Sequence, residues 1–495
     1  MASRRSPVWK PKSDDYGRVF MEQNPWQLRG DVPDALSPPV ERPMAQQLWR
    51  RVLQERPSRY QLVLGPRRVG KTTVMYQTVR RLLREIGDPR RLWWLRLDHP
   101  LLMALPLQEL VKYAVRSFRP AKGGVPVLLF LDELTYAKDW DLWLKTFYDD
   151  HWPVRIVGTS SSTAALRKRR VESGVGRWEE QYLAPYLLTE YLDLTGLRVE
   201  LEAKPTLHRT LRAAIKDGVS LVGVEGHRRR FVLTGGFPEL LVRLKDAGTD
   251  EGERLLQSQS VLRSDAVERA IYKDIPQAFG VDNPMMLERL LYVLAGQFTG
   301  VLSPQSICGD LDGLSVPTFD RYLAYLEHAF LVFTLPNFSG SERSVQKRGR
   351  KLYFVDGAVR NAALQRGLAP MDDPSEMGPL LENLAASHLH ALSQHSQVRL
   401  FHWRDRGEEV DLIYNHPEEP LAFEVSCRPQ HSRHGIRAFM ERYPRFSKRC
   451  YVVAHGIPPL SPEDSEDGIG SLPLDLFLVA VGRQAESEMA RRLGA

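Results

Sequence analysis

Gly65-Pro66-Arg67-Arg68-Val69-Gly70-Lys71-Thr72-Thr73 follows the apolar run Tyr60–Leu64 and opens a helical pattern that runs to about Ile86. The stretch is a complete Gly-x-x-x-x-Gly-Lys-[Ser/Thr] motif between a strand and a helix, the context of a P-loop. The glycines let successive backbone N–H groups turn towards phosphates, and the positive end of the following helix adds to their field. Lys71 is then the residue that reaches the β- and γ-phosphates, and Thr72 a ligand of Mg²⁺. ATP and Mg²⁺ are the cofactors this motif implies.

Such a site needs an acidic residue at the end of a second buried strand. Val127-Leu128-Leu129-Phe130-Leu131-Asp132-Glu133 supplies one. Asp132 is placed at the sheet edge as the second metal residue, and Glu133 as the group that orients the attacking water. A further strand, Val154–Val157, runs into Gly158-Thr159-Ser160-Ser161-Ser162, where Thr159 or Ser160 is a candidate γ-phosphate sensor. Arg177, after Gly176, is a candidate finger for a neighbouring subunit's site, or else a surface salt-bridge residue.

Working outward, strand-like and helix-like segments alternate: Leu92–Leu97, a helix around Leu107–Ser117, Val125–Leu131, a helix near Trp140–Asp150, then Val154–Val157. Apolar strands separated by helices of this length predict a parallel sheet covered on both faces, an α/β core. The first 45 residues, rich in proline and charge, read as an extended arm, and a helix is expected from about Ala45 to Gln54. From about Leu197 to Gln297 the pattern is helical, broken at Thr234-Gly235-Gly236-Phe237-Pro238. Strand character returns at Phe330–Leu335, Lys351–Val355, Val398–Trp403, Val410–Tyr414, Leu421–Val425, Arg449–Val453 and Leu476–Val481.

At 495 residues the chain is long enough for about three domains. Its 43% hydrophobic and 26% charged residues exclude a mainly disordered protein. No apolar run approaches the ~18 residues of a membrane span, and the N-terminus lacks a secretory pattern. A cytoplasmic protein is expected. Three cysteines without paired spacing exclude a disulfide scaffold and a zinc module. The net charge of +7 is concentrated in basic tracts: Arg80, Arg81 and Arg84; Arg167–Arg170; Arg228–Arg230; and Lys347, Arg348, Arg350 and Lys351. Four such tracts point to a polyanionic partner.

In order along the chain, GPRRVGKTT, LLFLDE, GTSSS, GRW…LAPYLLTEYLDL, GGFPELL, IYKDI, TFDRYLAYLEHAFLVF, KLYFVDGAV, LLENLAASHL and EEVDLIY…AFEVS resemble a prokaryotic family of AAA-type ATPases. That family carries an uncharacterised C-terminal domain with a restriction-endonuclease-like core. The resemblance covers residues 43–429. After the arm read from composition (1–45), it implies an ATPase core (46–195), a helical lid (196–284), a winged helix (285–355) and an endonuclease-like α/β domain (356–495). Gly236 and Pro238 look like the Gly-x-Pro turn by which signal-type ATPases sense nucleotide, although Gly-Gly with Pro also makes an ordinary helix break.

In the implied winged helix, the second helix bears Asp320, Arg321 and Glu327 and lacks a base-reading basic face. The wing carries Arg343, Lys347, Arg348, Arg350 and Lys351, suited to phosphates rather than to bases; the alternative is a winged helix that contacts protein. In the last domain Glu382, Asp411 and Glu424 match the acidic positions of the nuclease-like fold. The lysine expected two residues after the glutamate is Ser426, which predicts a degenerate site. The combined expectation is an Mg²⁺-dependent ATP hydrolase that moves or remodels DNA as a homo-oligomer, with a hexameric ring among the assemblies that fit. A signal-type switch with protein partners and an ATP-gated nuclease are the alternatives.

Overall fold

The structure, a computed structural model, describes residues 13–54, 58–118, 125–161, 176–243, 250–347, 349–428 and 432–494. The chain forms two compact units. The first holds the residues up to Leu64 together with Lys71–Gln181, and the second holds Gly65–Gly70 with Tyr182–Leu493.

The first unit is built on a five-stranded sheet. Its strands are β1 (Tyr60–Leu64), β2 (Leu92–Arg96), β3 (Val127–Asp132), β4 (Val154–Ser160) and β5 (Trp178–Tyr182), in the order β2-β3-β4-β1-β5. The pairs β1/β4, β3/β4 and β2/β3 are parallel. Every residue of β1 and of β3 is buried, as expected of strands covered on both faces. The crossovers run through helices Lys71–Ile86, Leu107–Ser117 and Trp140–Asp149, so the expected α/β core is present. Parallel pairing puts the C-terminal ends of β1, β3 and β4 on one edge, where Leu64 pairs with Ser160 and Leu131 with Gly158. Strand β5 escapes the hydropathy pattern because it is an edge strand, buried only over its last two residues.

The N-terminal stretch is not an extended arm. It forms helices Ser13–Gln23 and Trp26–Arg29. Trp26 is fully buried and donates its indole N–H to Leu92 O at 3.0 Å. The Asn24 side chain accepts from Trp94 N at 2.6 Å and donates to Trp94 O at 2.9 Å, as a neighbouring strand would. Arg80 and Arg81, read as part of a basic tract, instead hold this stretch. Buried Arg80 donates to Ser37 O and Asp34, both at 2.7 Å, and Arg81 Nε donates to Glu41 at 2.8 Å.

In the second unit, helices Leu188–Thr195, Leu207–Asp217, Val224–Thr234 and Glu251–Leu262 come first. The last of these continues through two π-helical turns, Arg263–Glu268 and Ala270–Asp274. Next come helices Pro284–Gly296, Pro304–Asp310 and Val316–His328, then the antiparallel pair β6 (Val332–Pro336) and β7 (Arg350–Phe354). Between β6 and β7 lies a short helix, Glu342–Lys347, where a wing loop was expected. A second five-stranded sheet has the order β12-β11-β10-β9-β8, formed by β8 (Leu400–Asp405), β9 (Glu408–Tyr414), β10 (Leu421–Ser426), β11 (Cys450–Ala454) and β12 (Ile469–Pro473). Its β8/β9/β10 part is antiparallel and its β10/β11/β12 part parallel. Trp403, Val410, Ile413, Phe439 and Phe446 pack together with Ala422 and Val452 as its core.

Leu476–Val481, expected as a strand, lies in helix Leu474–Gly494, and all six residues are buried. A short apolar run does not distinguish a buried strand from a helix buried all round. The strand at this point is β12, which ends just before that helix. Among the described residues no helix is long and apolar enough to cross a membrane.

Candidate active site at the P-loop and β3

The P-loop turns through two left-handed residues, Arg68 (φ 66°) and Gly70 (φ 87°), before the helix begins at Lys71. Only Gly70 takes that conformation without steric cost. Lys71 is buried at the first position of the helix. One turn-edge away, the Thr72 hydroxyl donates to Asp132 Oδ2 at 2.8 Å. Asp132 ends β3 and is buried. Its other oxygen, Oδ1, accepts the Thr159 hydroxyl at 2.5 Å. Burial, with the nearby Glu133 charge, raises the Asp132 pKa to about 6, although the hydrogen bonds from Thr159 and Thr72 and the Lys71 charge oppose the rise.

Glu133 is left-handed (φ 54°), a conformation that costs a non-glycine residue roughly 1–3 kcal/mol. Two bonds hold it there. Its N–H donates to Thr159 Oγ1 at 2.9 Å, and its carboxylate accepts the Ser161 hydroxyl at 2.8 and 3.0 Å. Of the two sensor candidates, Thr159 reaches the acidic pair, as does Ser161, whereas Ser160 alternates with them along the strand direction. Thr72 and Asp132 offer two hard oxygen donors within hydrogen-bond distance of each other. That donor set fits Mg²⁺, which takes one or two protein oxygens and completes its shell with phosphates and water.

The two arginines inside the P-loop have partners that the sequence did not reveal. Arg67 makes a two-pronged bond to Asp274, both contacts at 2.5 Å, and Arg68 meets Glu239 at 2.6 Å and also Asp265. Asp265 and Asp274 lie on the two π-helical turns, a helix distortion frequent at functional sites.

Gly236 of the Gly-Gly-Phe-Pro turn is fixed within the second unit. It donates its N–H to Asp356 Oδ2 at 2.7 Å and accepts from Tyr186 N at 2.6 Å. A Cβ at Gly236 would lie 2.2 Å from Tyr186 O, which explains the glycine without reference to nucleotide. Pro238 starts the next helix.

The acidic residues of the C-terminal sheet also converge. Glu382, on helix Pro374–Ser396, and Asp411, on β9, both bond Lys351 of β7, at 2.9 and 2.8 Å; Glu409 bonds it at 2.7 Å. Glu424 and Ser426 stand on β10, with the Ser426 hydroxyl accepting Arg428 N–H at 3.0 Å.

Residues 57–192 match the AAA domain family. The chain carries an AAA-type P-loop ATPase domain. Behind that domain, residues 226–369 match a domain of unknown function (DUF8612) and residues 377–467 another (DUF4143). The uncharacterised protein MJ1637 of Methanocaldococcus jannaschii is 25% identical over 387 residues, 77% of this chain and 78% of that one. A second protein of that organism, the uncharacterised MJ1544, is 24% identical over 393 residues, again 77% and 78% of the two chains. Among solved structures, the Walker-type ATPase PABY2304 of Pyrococcus abyssi aligns with a TM-score of 0.40 at 16% identity, over 68% of this chain and 99% of that one.

Within the AAA domain, Arg177 is held by Asp149 through two bonds of 2.8 and 2.9 Å. Beyond it, the wing residues read as phosphate contacts are not one basic surface. Lys351 is buried and bound to carboxylates, so it is unavailable to a phosphate. Arg350 is paired with Asp320 at 2.6 Å, and Arg343 is exposed. Arg348 and the tract Arg167–Arg170 lie outside the described residues, as does the side chain of Lys347. Arg228 is buried against Asp475 at 2.5 Å, while Arg229 and Arg230 are exposed.

Proposed function

We propose that this protein is an Mg²⁺-dependent ATP hydrolase that works on DNA as a homo-oligomer. The observation that carries the hydrolase reading is the linked set Thr72–Asp132–Thr159, with Glu133 held beside it by Ser161. Lys71 supplies a fixed positive charge for the phosphates. Thr72 and Asp132 would hold Mg²⁺, which when bound adds charge stabilisation at the phosphate oxygens. Glu133 accepts a proton from the attacking water or orients it, and its two bonds keep the carboxylate in place for that work.

The DNA part of the reading is supported by charge: a net +7 and the exposed Arg229, Arg230 and Arg343. A nucleotide-dependent switch with protein partners is the second reading. It is favoured by the fate of the basic tracts, since Arg80, Arg81, Arg228, Arg350 and Lys351 all serve internal carboxylates or carbonyls. ATP hydrolysis measured alone and with single-stranded, double-stranded and branched DNA separates the two. Stimulation of at least several-fold by one form supports the DNA reading, and equal rates throughout support the switch. Absence of any hydrolysis that depends on Lys71 would overturn both.

A further inference from the structure

Lys351 stands in β7, opposite Leu335 of β6. Its side chain is only 2% exposed, and its Nζ lies 2.7 Å from Glu409, 2.8 Å from Asp411 and 2.9 Å from Glu382. The ammonium donates hydrogen bonds to Glu409 and Asp411 and forms an ion pair with Glu382. The remaining donors complete the centre: Tyr353 donates its hydroxyl to Glu382 at 2.7 Å, and Val425 donates its N–H to Asp411 Oδ2 at 2.8 Å.

Burial pulls the Lys351 pKa down, but Asp411 and its other neighbours outweigh that and hold it well above the ordinary value. Burial, followed by the charge of Asp411, raises Glu382 to about 7. The carboxylate neighbours of Lys351 therefore favour its cationic form. A compact cation receiving carboxylate oxygens from a helix and a strand has the donor chemistry of a divalent-ion cage, with distances lengthened by the intervening N–H protons.

We propose that Lys351 is the resident cation of this centre, its ammonium filling the place a divalent ion would take among Glu382, Glu409 and Asp411. The domain then binds no divalent ion there and needs none to tie helix Pro374–Ser396 to β7 and β9. Taking the ammonium away turns the cluster into a divalent-cation site. Two observations set this apart from a lysine poised to act on a phosphodiester. Lys351 is too buried to reach a phosphate, and Asp411 has both oxygens engaged, one by Lys351 and one by Val425. A cluster filled by Lys351, with serine rather than lysine at 426, is not expected to hydrolyse a phosphodiester.

The test uses the full chain, free of nucleotide, with Mn²⁺ binding followed by the loss of the free-ion EPR signal. Wild type and Asp411→Asn should bind the same amount of Mn²⁺. Lys351→Met should bind one additional ion per chain, and Lys351→Met with Asp411→Asn should lose it. If Lys351→Met is unstable, Mn²⁺ should raise its melting temperature by several degrees and leave that of the double variant unchanged. The proposal is overturned if wild type binds an ion that Asp411→Asn abolishes, or if Lys351→Met gains neither an ion nor stability. It is equally overturned if wild type nicks supercoiled DNA with Mn²⁺ and both Lys351→Met and Asp411→Asn stop the nicking, because Lys351 would then act in cleavage.

Discussion

The Thr159 hydroxyl donates to Asp132 at 2.5 Å while accepting the backbone N–H of Glu133 at 2.9 Å, so one buried side chain sets both acidic residues. Thr159→Val removes that hydroxyl and leaves buried Asp132 Oδ1 and the half-buried Glu133 N–H without it, at up to about 1–3 kcal/mol each. The expected result is a lower melting temperature and at least a tenfold loss of kcat, with Thr159→Ser retaining most of both. Ser160→Ala should do little to kcat. Equal losses from Thr159→Val and Ser160→Ala in a steady-state ATPase assay would contradict the assignment.

Lys71 and Glu133 act on different partners, the phosphates and the water, so their variants should separate binding from hydrolysis. Lys71→Ala is expected to lose ATP binding. Glu133→Gln should bind ATP normally and turn it over at least a hundredfold more slowly, the low end for loss of a general base. Fluorescent-nucleotide titration and single-turnover hydrolysis read the two effects. Wild-type turnover by Glu133→Gln would remove this glutamate from the mechanism.

Asp132 makes the site pH-sensitive in a defined direction. Its folded pKa, about 6, lies above the ordinary value of 3.8. The folded chain therefore holds the extra proton between those pH values, and the stability this contributes is present below the ordinary value and lost as pH rises through about 6. Asp132→Asn, which stays neutral, should stabilise the nucleotide-free protein at pH 7.5 by at most about 3 kcal/mol, with the gain shrinking towards pH 5. It should also abolish hydrolysis. Urea denaturation across that range checks the sign, and an Asp132→Asn gain that grows towards pH 5 would refute it.

What the sequence made legible was local. The P-loop is nine contiguous residues, and Asp132 sits at the end of an apolar run long enough to be a buried strand, so spacing alone located both. Thr159 and Ser160 stood as equal candidates because a one-residue alternation decides which hydroxyls face the acids, and that depends on strand register. Lys351 looked like a phosphate contact because its neighbours in sequence are basic; its carboxylate partners lie 31 to 60 residues away and only the tertiary fold brings them together. Arg80 was misread for the same reason, its partners being the N-terminal stretch that composition marked as an extended arm.

The Arg67–Asp274 and Arg68–Glu239 pairs differ mainly in exposure, and exposure should decide what each contributes. Arg67 and Asp274 side chains are 13% and 12% exposed, against 39% and 36% for Arg68 and Glu239. Breaking a largely buried pair by removing one partner costs about 3 kcal/mol or more, because the remaining charge keeps its desolvation penalty, whereas an exposed pair is worth about 0–1 kcal/mol. Asp274→Ala should therefore lower the urea midpoint markedly and Glu239→Ala hardly at all. Raising the salt concentration should erase the Glu239 effect and leave most of the Asp274 effect, since screening acts on exposed charges. Adding Arg67→Met to Asp274→Ala should recover part of the loss, because it removes the charge that Asp274 had compensated. If the two single variants destabilise equally, or if the double variant is worse than Asp274→Ala alone, the P-loop arginines are not anchored in the way these distances and exposures indicate.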